Sequence, residues 1–224
     1  MPNIIILFLL FITFPSSLHA DNAAVLSACE ITIDDFAHGI KPDWQTKSFR
    51  GTTEYTWVKE DNRTFVRANS RASASGLYYR IEFDPQQYPY LTWQWKVNNI
   101  IASGDATRKS GDDYSARIYV VFPSFFFWNT KAINYIWANK LPKEQAVPNP
   151  YTSNSIMISV ESGRSETGKW ITETRNIYED YKRFFGKEPP KAGAIAIMTD
   201  TDNTGETVSS DYGLIALCSS DPRK

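Results

Sequence analysis

The sequence predicts an all-β protein, an antiparallel β-sandwich of the jelly-roll (galactose-binding-like) type. Short runs of alternating apolar and polar residues recur along the chain, as expected for strands that bury one face. Gly, Pro, Asn and Asp residues separate these runs and favour tight turns. Only residues 178–185 have a helical pattern, so the crossover helices that a parallel sheet requires are not available in number.

The first twenty residues predict an export signal. Residues 4–14 form an apolar run with Thr13 as its one polar residue, and this run is shorter than the roughly 20 residues that span a membrane. Residues 15–20 are small and polar and end in Leu18-His19-Ala20, a cleavage site of the small-residue type. We expect a signal peptide at 1–20, one β-sandwich domain at 21–224 and a periplasmic or secreted protein with no transmembrane span after cleavage.

The strands follow in chain order. Residues 55–57 and 64–66 flank the turn 61–63 as a hairpin. Leu77 to Phe83 and Leu91 to Val97 alternate apolar and polar residues, which places the apolar ones in the core. The helix at 178–185 ends at Gly186, which favours a left-handed cap. Further strands are predicted at 116–122, 133–138, 156–160, 170–177, 194–198 and 214–217.

The two cysteines predict a disulfide. Cys29 lies near the start of the mature chain and Cys218 near its end, and an even count in an exported protein favours pairing. The alternative is a lipid anchor, since residues 26–29 have the letters of a bacterial lipidation box. We favour the disulfide because Ile31 begins a strand too soon to leave a tether.

The overall charge excludes some partners. The chain has 24 basic and 25 acidic residues and a net charge of −1, so no global field favours nucleic acid or an anionic membrane. His38 is the only histidine after residue 20, which argues against His-rich metal sites and most Ser or Cys nucleophile systems. Any partner surface must therefore be local.

The alternating strands imply one shared polar face. Residues between the inward apolar ones project from the opposite side of each strand. Their planar donors, carboxylates and phenol ring suit a hydroxyl-rich ligand, whereas a solvated face with cross-strand ion pairs is the alternative interpretation. The residues expected on this ligand-binding face are Gln94, Lys96, Arg117, Tyr119, Glu173 and Arg175.

Two acidic segments are further candidates. Asp112 and Asp113 precede a strand and could place carboxylates at the sandwich rim beside the ligand. Alternatively, one caps the turn and the other pairs with a nearby arginine such as Arg117. In the second segment, Asp200, Asp202, Thr204 and Asp211 fall at ligand positions of a calcium loop, with Gly205 at the turn. A tight Asp/Asn turn is the alternative there, and no cofactor is required.

Four adjacent aromatic residues at 125–128 stand between Pro123-Ser124 and Asn129-Thr130. They cannot all face one core. Either a second layer covers them, which we expect, or they form a contact patch for a sugar ring, a partner or a lipid surface.

A co-linear set of motifs from Leu91 to Gly205 resembles a bacterial envelope family known as domain of unknown function 3047. The cluster at 125–128 and the cysteine pair are outside this resemblance. The family implies a secreted sandwich similar to carbohydrate-binding jelly rolls and supplies no established catalytic residues. The motifs are Leu91-Thr92-Trp93, Gly111-Asp112-Asp113 with Arg117, Tyr135-Ile136-Trp137-Ala138, Asn149-Pro150-Tyr151, Trp170 with Glu173, Arg175 and Asn176, Asp180-Tyr181 with Phe185-Gly186, and Met198-Thr199-Asp200 through Asp202-Asn203-Thr204-Gly205.

Three functions are compatible with these features. The first hypothesis is a periplasmic glycan-binding or accessory module, which rests on the sandwich, the polar face and the aromatic cluster. The second is an enzyme acting on glycans, with Glu173 and Asp112 or Asp113 as a carboxylate pair. The third is a scaffold that binds another envelope protein through residues 125–128.

Overall fold

The computed structural model describes residues 27–224, so the predicted signal peptide lies outside the described residues. Thirteen strands and one nine-residue α-helix, α1 (Ile177–Phe185), account for most of the regular structure described. The strands are β1 (Ile31–Asp34), β2 (Trp44–Arg50), β3 (Glu54–Glu60), β4 (Arg63–Arg71), β5 (Ala74–Phe83), β6 (Tyr90–Val97), β7 (Ala116–Phe122), β8 (Lys131–Ala138), β9 (Ala146–Asn149), β10 (Thr152–Ser162), β11 (Ile171–Asn176), β12 (Ala192–Asp200) and β13 (Thr207–Cys218).

The strands form two sheets, which confirms the predicted β-sandwich. Sheet A has the order β11-β6-β13-β4-β3, with β1 also paired to β13, and sheet B has the order β2-β5-β12-β7-β8-β10-β9. The strand pairs are antiparallel with one exception, the parallel pair of β8 and β10. The connection from β8 to β10 needs no crossover helix because it contains β9, which pairs with the edge of β10 that faces away from β8.

Aromatic residues fill the space between the sheets. Trp93 and Trp95 of sheet A are fully buried and lie 5.3 Å apart between ring centroids. Trp93 stacks on Tyr135 of sheet B at 5.3 Å, and Trp95 contacts Trp137 at 5.9 Å. Burying one large apolar side chain contributes about 1.5–3 kcal/mol. This seam therefore holds the sheets together and confirms the inward alternation predicted for residues 91–97.

The helix forms as its sequence predicts. The Asn176 side chain accepts a hydrogen bond from the Glu179 N–H at 2.9 Å, which caps the first turn. Gly186 adopts φ 67° at the other end, a conformation that glycine takes without steric cost.

Strands β2 and β9 are the elements that the sequence pattern does not reveal. Strand β2 has the sequence WQTKSFR, in which only Trp44 and Phe49 are apolar, so it shows no apolar alternation. Only Trp44 is buried in this strand. Strand β9 contains Pro148, a residue that is confined to sheet edges because it lacks an N–H. Both strands lie at the edges of sheet B.

The disulfide joins the two ends of the described chain. Cys29, just before β1, is bonded to Cys218, the last residue of β13, across 189 residues of sequence. A sulfur in a disulfide cannot also carry a thioether lipid, so the structure contradicts the lipid-anchor alternative. Within residues 27–224, no helix has the length and apolar character that a membrane crossing requires.

Candidate functional site

The single polar face expected from alternation is wrong. Gln94 and Lys96 lie on β6 in sheet A, whereas Arg117 and Tyr119 lie on β7 in sheet B. Alternation tells which side of its own strand a residue occupies, but it does not tell which sheet the strand joins. The outward residues of the two strands therefore face away from each other, on opposite surfaces of the sandwich.

Glu173 and Arg175 are in a third place. They lie on β11 in register with Trp93 and Leu91, and cross-strand partners project to the same side of a sheet. Their side chains are therefore on the core side of an edge strand. The six residues expected on one face are thus divided among three surroundings.

Lys96 is held in an ion-pair network on the outer face of sheet A. Its ammonium lies 2.8 Å from the fully buried carboxylate of Asp211. Arg67 donates two hydrogen bonds to the same carboxylate, at 2.7 and 3.1 Å. Lys96 and Arg67 both lie over the Phe65 ring, at 5.5 and 5.2 Å from its centroid. These contacts satisfy the charged groups mutually, and they place Asp211 outside the predicted calcium loop.

The outer face of sheet B carries the groove that we take as the candidate site. Its polar part is a cleft of about 510 Å³, and its apolar part is an adjoining cleft of about 280 Å³. Phe49, Tyr119 and Met198 line both parts, so the two are continuous. The polar part is further lined by Ala74, Asp112, Arg117, Asn134, Asn149, Tyr151, Thr152, Ser155, Asp200, Asp202 and Asn203.

Small residues on neighbouring strands make room for the apolar part of the groove. Gly76 of β5, Ala196 of β12 and Ala132 of β8 line it. A Cβ atom on Gly76 would lie 2.9 Å from the Ile197 carbonyl oxygen and 3.3 Å from the Met198 Cβ, so only glycine fits there. Phe49, on the edge strand β2, is exposed and forms one rim.

A buried ion pair lies at the base of the polar part. The Arg117 Nη2 atom donates to the Asp200 carboxylate at 2.6 Å, and the two side chains are 7% and 2% exposed. Burial raises the pKa of Asp200 well above its usual range. Arg117 opposes that rise, and the neighbouring carboxylates of Asp113 and Asp112 add to it. The positive charge of Arg117 therefore offsets the negative charges of Asp200, Asp112 and Asp113, which lie close together.

Asp112 lines the groove, but neither Asp112 nor Asp113 has the role that the alternative interpretation gave it, a side-chain cap of the turn or a pair with Arg117. The structure pairs Arg117 with Asp200 and gives Asp112 hydrogen bonds from the Tyr114 hydroxyl at 2.9 Å and the Asn149 amide at 3.0 Å. Asp113 accepts the N–H groups of Asn203 and Thr204 at 3.2 and 2.6 Å. Asp113 thereby ties the loop after β12 to the segment before β7. The predictions of a local cap and an Arg117 partner are both wrong, because the Tyr114 hydroxyl and the distant Asn149, Asn203 and Thr204 supply the donors.

Several polar atoms in the groove lack good partners. Among residues 27–224, neither the Arg117 Nε nor the Oδ1 of the fully buried Asn134 has a hydrogen-bond partner. The Tyr119 hydroxyl donates at 3.4 Å to the Met198 sulfur, which is a weak acceptor. Buried polar groups are normally satisfied, so unpaired atoms on residues that line a cleft are consistent with a ligand or ordered water beside them.

A comparison with known protein families identifies the family of this chain. A family model described as "Protein of unknown function (DUF3047)" matches residues 42–216. The chain belongs to this DUF3047 family. The resemblance inferred from the motifs is thereby confirmed. A search of curated proteins gives no significant match to this DUF3047 chain.

Solved β-sandwich structures are distantly similar to this DUF3047 protein. A family 11 carbohydrate-binding module of a Clostridium thermocellum cellulosomal cellulase has 12% identity and a TM-score of 0.46, over 84% of this chain and 92% of that one. A family 30 module from the same organism has 11% identity and a TM-score of 0.47, over 85% and 98%. The K1 adhesin domain of Lys-gingipain from Porphyromonas gingivalis W83 has 14% identity and a TM-score of 0.44, over 84% and 97%. Likenesses this distant do not transfer a ligand.

The predicted calcium set is also rearranged in this DUF3047 protein. Carboxylate oxygens of Asp113, Asp200 and Asp202 lie within 4.8 Å of one another, whereas Asp211 pairs with Lys96 and Arg67. The Thr204 hydroxyl accepts the Glu206 N–H at 3.4 Å. Asp113 replaces Asp211 because the loop after β12 folds back on the segment before β7. Three carboxylates suit calcium, which takes oxygen ligands, although Arg117 already neutralises one of them.

Calcium binding stays a prediction, now at Asp113, Asp200 and Asp202. Millimolar calcium is expected to raise the melting temperature relative to chelator, because an ion that binds only the folded state stabilises it. The rise should disappear in Asp202→Asn. The exposed Asp43→Asn variant is the control and should keep it. Equal melting temperatures with calcium and with chelator would contradict the prediction.

Glu173 belongs to a separate cluster at the edge of the sandwich. Burial raises its pKa to about 7, the Glu161 carboxylate adds to the rise, and Lys143 opposes it. Among the residues that the structure describes, the Glu173 Oε1 atom has no hydrogen-bond partner. Asp112 and Asp113 lie beside the groove of sheet B instead. The structure therefore does not bring together the carboxylate pair considered for an enzyme.

Arg175 completes the edge cluster. It donates to both oxygens of Asp180, at 3.1 and 2.8 Å, and to Glu144 at 2.8 Å. Asp180 also accepts the Tyr135 hydroxyl at 2.9 Å. These bonds join α1 and β11 to the core of sheet B, so Arg175 has a structural role.

Sequence reasoning missed several groove residues. Phe49, Asn134 and Tyr151 were not predicted as site residues, and they come from β2, β8 and the turn after β9. Asn134 carries a usable signal, since it is a polar residue between the apolar Ile133 and Tyr135 of one strand. Tyr151 lies in the family motif Asn149-Pro150-Tyr151. Phe49 lies in a strand without alternation, and no sequence signal identifies it.

Proposed function

We propose that this protein is an exported glycan-binding module whose ligand lies in the groove on the outer face of sheet B. One observation carries the proposal. The groove combines unpaired buried polar atoms of Arg117 and Asn134 with the exposed aromatic side chains of Phe49 and Tyr151. A sugar has both properties that such a groove recognises, hydroxyl groups around its edge and apolar C–H faces.

The polar part favours a neutral polyol over an anion. Arg117 and the amide of Asn149 donate hydrogen bonds, whereas the carboxylates of Asp112 and Asp200 accept them. Adjacent hydroxyls of a sugar ring can donate to a carboxylate and accept from a guanidinium at the same time. An anionic ligand would meet the negative charges of Asp112, Asp200 and Asp202, which repel it.

The apolar part favours a chain of more than one sugar. Its lining includes the exposed ring of Phe49 and the aliphatic Val121, Ala132 and Ala196, and stacking on aromatic rings stabilises flat apolar faces. Because the two parts join at Tyr119 and Met198, one unit can occupy each. The proposed ligand class is therefore a neutral oligosaccharide that lies along the sheet.

Export is part of the same proposal. The disulfide of Cys29 with Cys218 is typical of oxidising compartments such as the periplasm or the extracellular space. The apolar run at 4–14 supports a secretory signal. The glycans that such a protein meets are envelope or imported polysaccharides.

Replacing Phe49 by Ala is expected to weaken glycan binding about tenfold, because about 1.4 kcal/mol of ring stacking is lost. Tyr151→Ala should have a similar effect. The melting temperature should change little, since both rings are exposed. A glycan array identifies the ligand, and calorimetry then measures its affinity for each variant.

Phe127→Ala is the matched control, because Phe127 is also exposed but does not line the groove. Its affinity should equal that of the unchanged protein. Incubating the bound glycan with the protein and separating the products by chromatography tests for turnover. Binding that is insensitive to Phe49 and Tyr151, or cleavage of the glycan, would contradict the proposal.

A further inference from the structure

The connection between β7 and β8 exposes four consecutive aromatic residues, which we call the aromatic loop (125–128). The exposed fractions are 96% for Phe125, 49% for Phe126, 79% for Phe127 and 60% for Trp128. The expectation that a second layer covers them is wrong. Contiguous exposed apolar side chains of this size mark an interaction surface.

The aromatic loop is preformed. The Asn129 N–H donates to the Phe126 carbonyl at 2.8 Å and the Thr130 N–H to the Phe127 carbonyl at 3.1 Å. Asn154 of β10 donates to the Trp128 carbonyl at 2.8 Å, which fixes the loop to the neighbouring strand. The Phe126 and Trp128 rings stack at 5.1 Å. The rings therefore form a projecting knob that needs little ordering before it binds.

A basic cleft adjoins the knob. It has a volume of about 490 Å³ and lies between the start of β8, the start of β10 and the segment after α1. Its described lining includes Lys131 and Lys187 and no carboxylate. Neither lysine forms an ion pair in the part of the chain that the structure describes. The Lys131 ammonium lies over the Phe185 ring at 4.1 Å from its centroid, and no carboxylate lines the cleft to neutralise either lysine. Burial lowers the pKa of Lys131, and the positive charge of Lys187 adds to that effect.

We propose that the aromatic loop and the adjoining lysine cleft dock this protein on a bilayer that contains anionic phospholipid. The rings of Phe125, Phe127 and Trp128 enter the interfacial region, where aromatic side chains are favoured. Lys131 and Lys187 then face lipid phosphates. The net charge of −1 does not oppose this arrangement, because the attraction acts only within about a Debye length of the surface.

The shape and charge favour a bilayer over a protein partner. A convex knob of four rings needs a deformable apolar phase, whereas a rigid protein would need a matching deep pocket. The two lysines beside the knob, which form no ion pair among the described residues, complement the layer of phosphates that lies just outside the apolar phase of a membrane. The Ser124 and Asn129 side chains in the same cleft add hydrogen-bonding groups for a lipid headgroup.

The test sediments the purified protein with vesicles of phosphatidylethanolamine and phosphatidylglycerol, and with vesicles of phosphatidylcholine alone. We expect binding to the anionic vesicles and a loss of at least about tenfold in the double variant Phe125→Ser/Phe127→Ser. Lys131→Gln and Lys187→Gln should each weaken binding to anionic vesicles about fivefold, with little change on phosphatidylcholine. Phe49→Ser is the control and should bind vesicles as the unchanged protein does, because Phe49 is exposed but lies outside the aromatic loop and the lysine cleft.

A second readout uses Trp128. Brominated phosphatidylcholine mixed into the anionic vesicles should quench part of the tryptophan fluorescence, and Trp128→Phe should remove that quenching. Equal melting temperatures of the variants exclude loss of folding. Absence of vesicle binding, or binding that the loop and lysine variants leave unchanged, would overturn the proposal. Retention of a protein partner through the loop without vesicle binding would also overturn it. Glycan affinity of the loop variants, measured separately, shows whether the groove is independent.

Discussion

Replacing Arg117 by Met removes ligand binding in the groove and lowers the free energy of unfolding by about 3–5 kcal/mol, the usual cost of breaking a buried ion pair from one side. Arg117 is the cation at 2.6 Å from Asp200. Without it, the Asp200 carboxylate is buried beside Asp112, Asp113 and Asp202, whose charges already raise its pKa. Methionine keeps the length of the side chain, so the change in packing is small.

The double variant Arg117→Met/Asp200→Asn separates the two effects. Removing both charges costs less stability than removing one, because no uncompensated charge remains. The double variant should therefore recover part of the lost stability and still fail to bind the glycan, since the guanidinium donors are absent. Urea unfolding and calorimetry measure the two quantities. An Arg117→Met variant as stable as the unchanged protein, or a double variant that binds normally, would contradict this account.

The sign of the pH dependence follows from Asp200. Burial raises its pKa in the folded state and Arg117 opposes that rise, so just above the unfolded pKa the folded state keeps a proton that the unfolded state has released, and at higher pH Asp200 is ionised and paired with Arg117. Stability from this group is present at low pH and is lost as the pH rises through the raised pKa. Removing Arg117 removes the opposing charge and raises this pKa further, so the decline in stability of the single variant should continue to higher pH than that of the unchanged protein. Asp200→Asn should abolish that extra decline.

The sequence predicts the layers of this fold well because layers depend on local periodicity. Leu91, Trp93, Trp95 and Val97 are all fully buried, as their alternation indicates. The end of α1 at Gly186 follows from a local conformational preference. The disulfide follows from an even cysteine count and a predicted export signal. Each of these inferences needs only near neighbours in sequence or one pairing rule.

The candidate site could not be predicted to the same extent because it depends on sheet membership and on loops that meet in space. Lys96 and Arg117 have the same pattern in their strands, but β6 joins sheet A and β7 joins sheet B. Asp113 reaches the loop after β12 across 90 and 91 residues of sequence. Nothing in the local pattern distinguishes its carboxylate from that of Asp211, which lies in sheet A.

Replacing Glu173 by Gln is expected to raise the free energy of unfolding by about 1–3 kcal/mol at and above neutral pH. The folded-state pKa of Glu173 is raised from 4.5 to about 7, first by burial and then by the Glu161 carboxylate. Each pKa unit corresponds to about 1.4 kcal/mol, and partial exposure of the side chain reduces the full value. Glutamine has the same shape and no charge, so it removes the cost of ionising this side chain at the edge of the sandwich.

The pH profile distinguishes this cause from better packing. Below the unfolded pKa, both states hold the proton and the unchanged protein is at its most stable with respect to this group. Between 4.5 and about 7, the unfolded state releases the proton first, so stability falls as the pH rises. Glu173→Gln should remove that decline, whereas the exposed Glu54→Gln should keep it. Urea unfolding across this range provides the measurement, and a parallel decline in both variants would contradict the assignment.

Glycan binding by Glu173→Gln decides between the groove and a carboxylate pair. Glu173 does not line the groove, so the affinity of the variant should equal that of the unchanged protein at every pH. The neighbouring bonds of Arg175 with Asp180 and Glu144 should persist, because they do not involve Glu173. A variant that is stabilised but no longer binds the glycan would place the ligand at the sandwich edge, beside Glu161 and Lys143, and would contradict the groove.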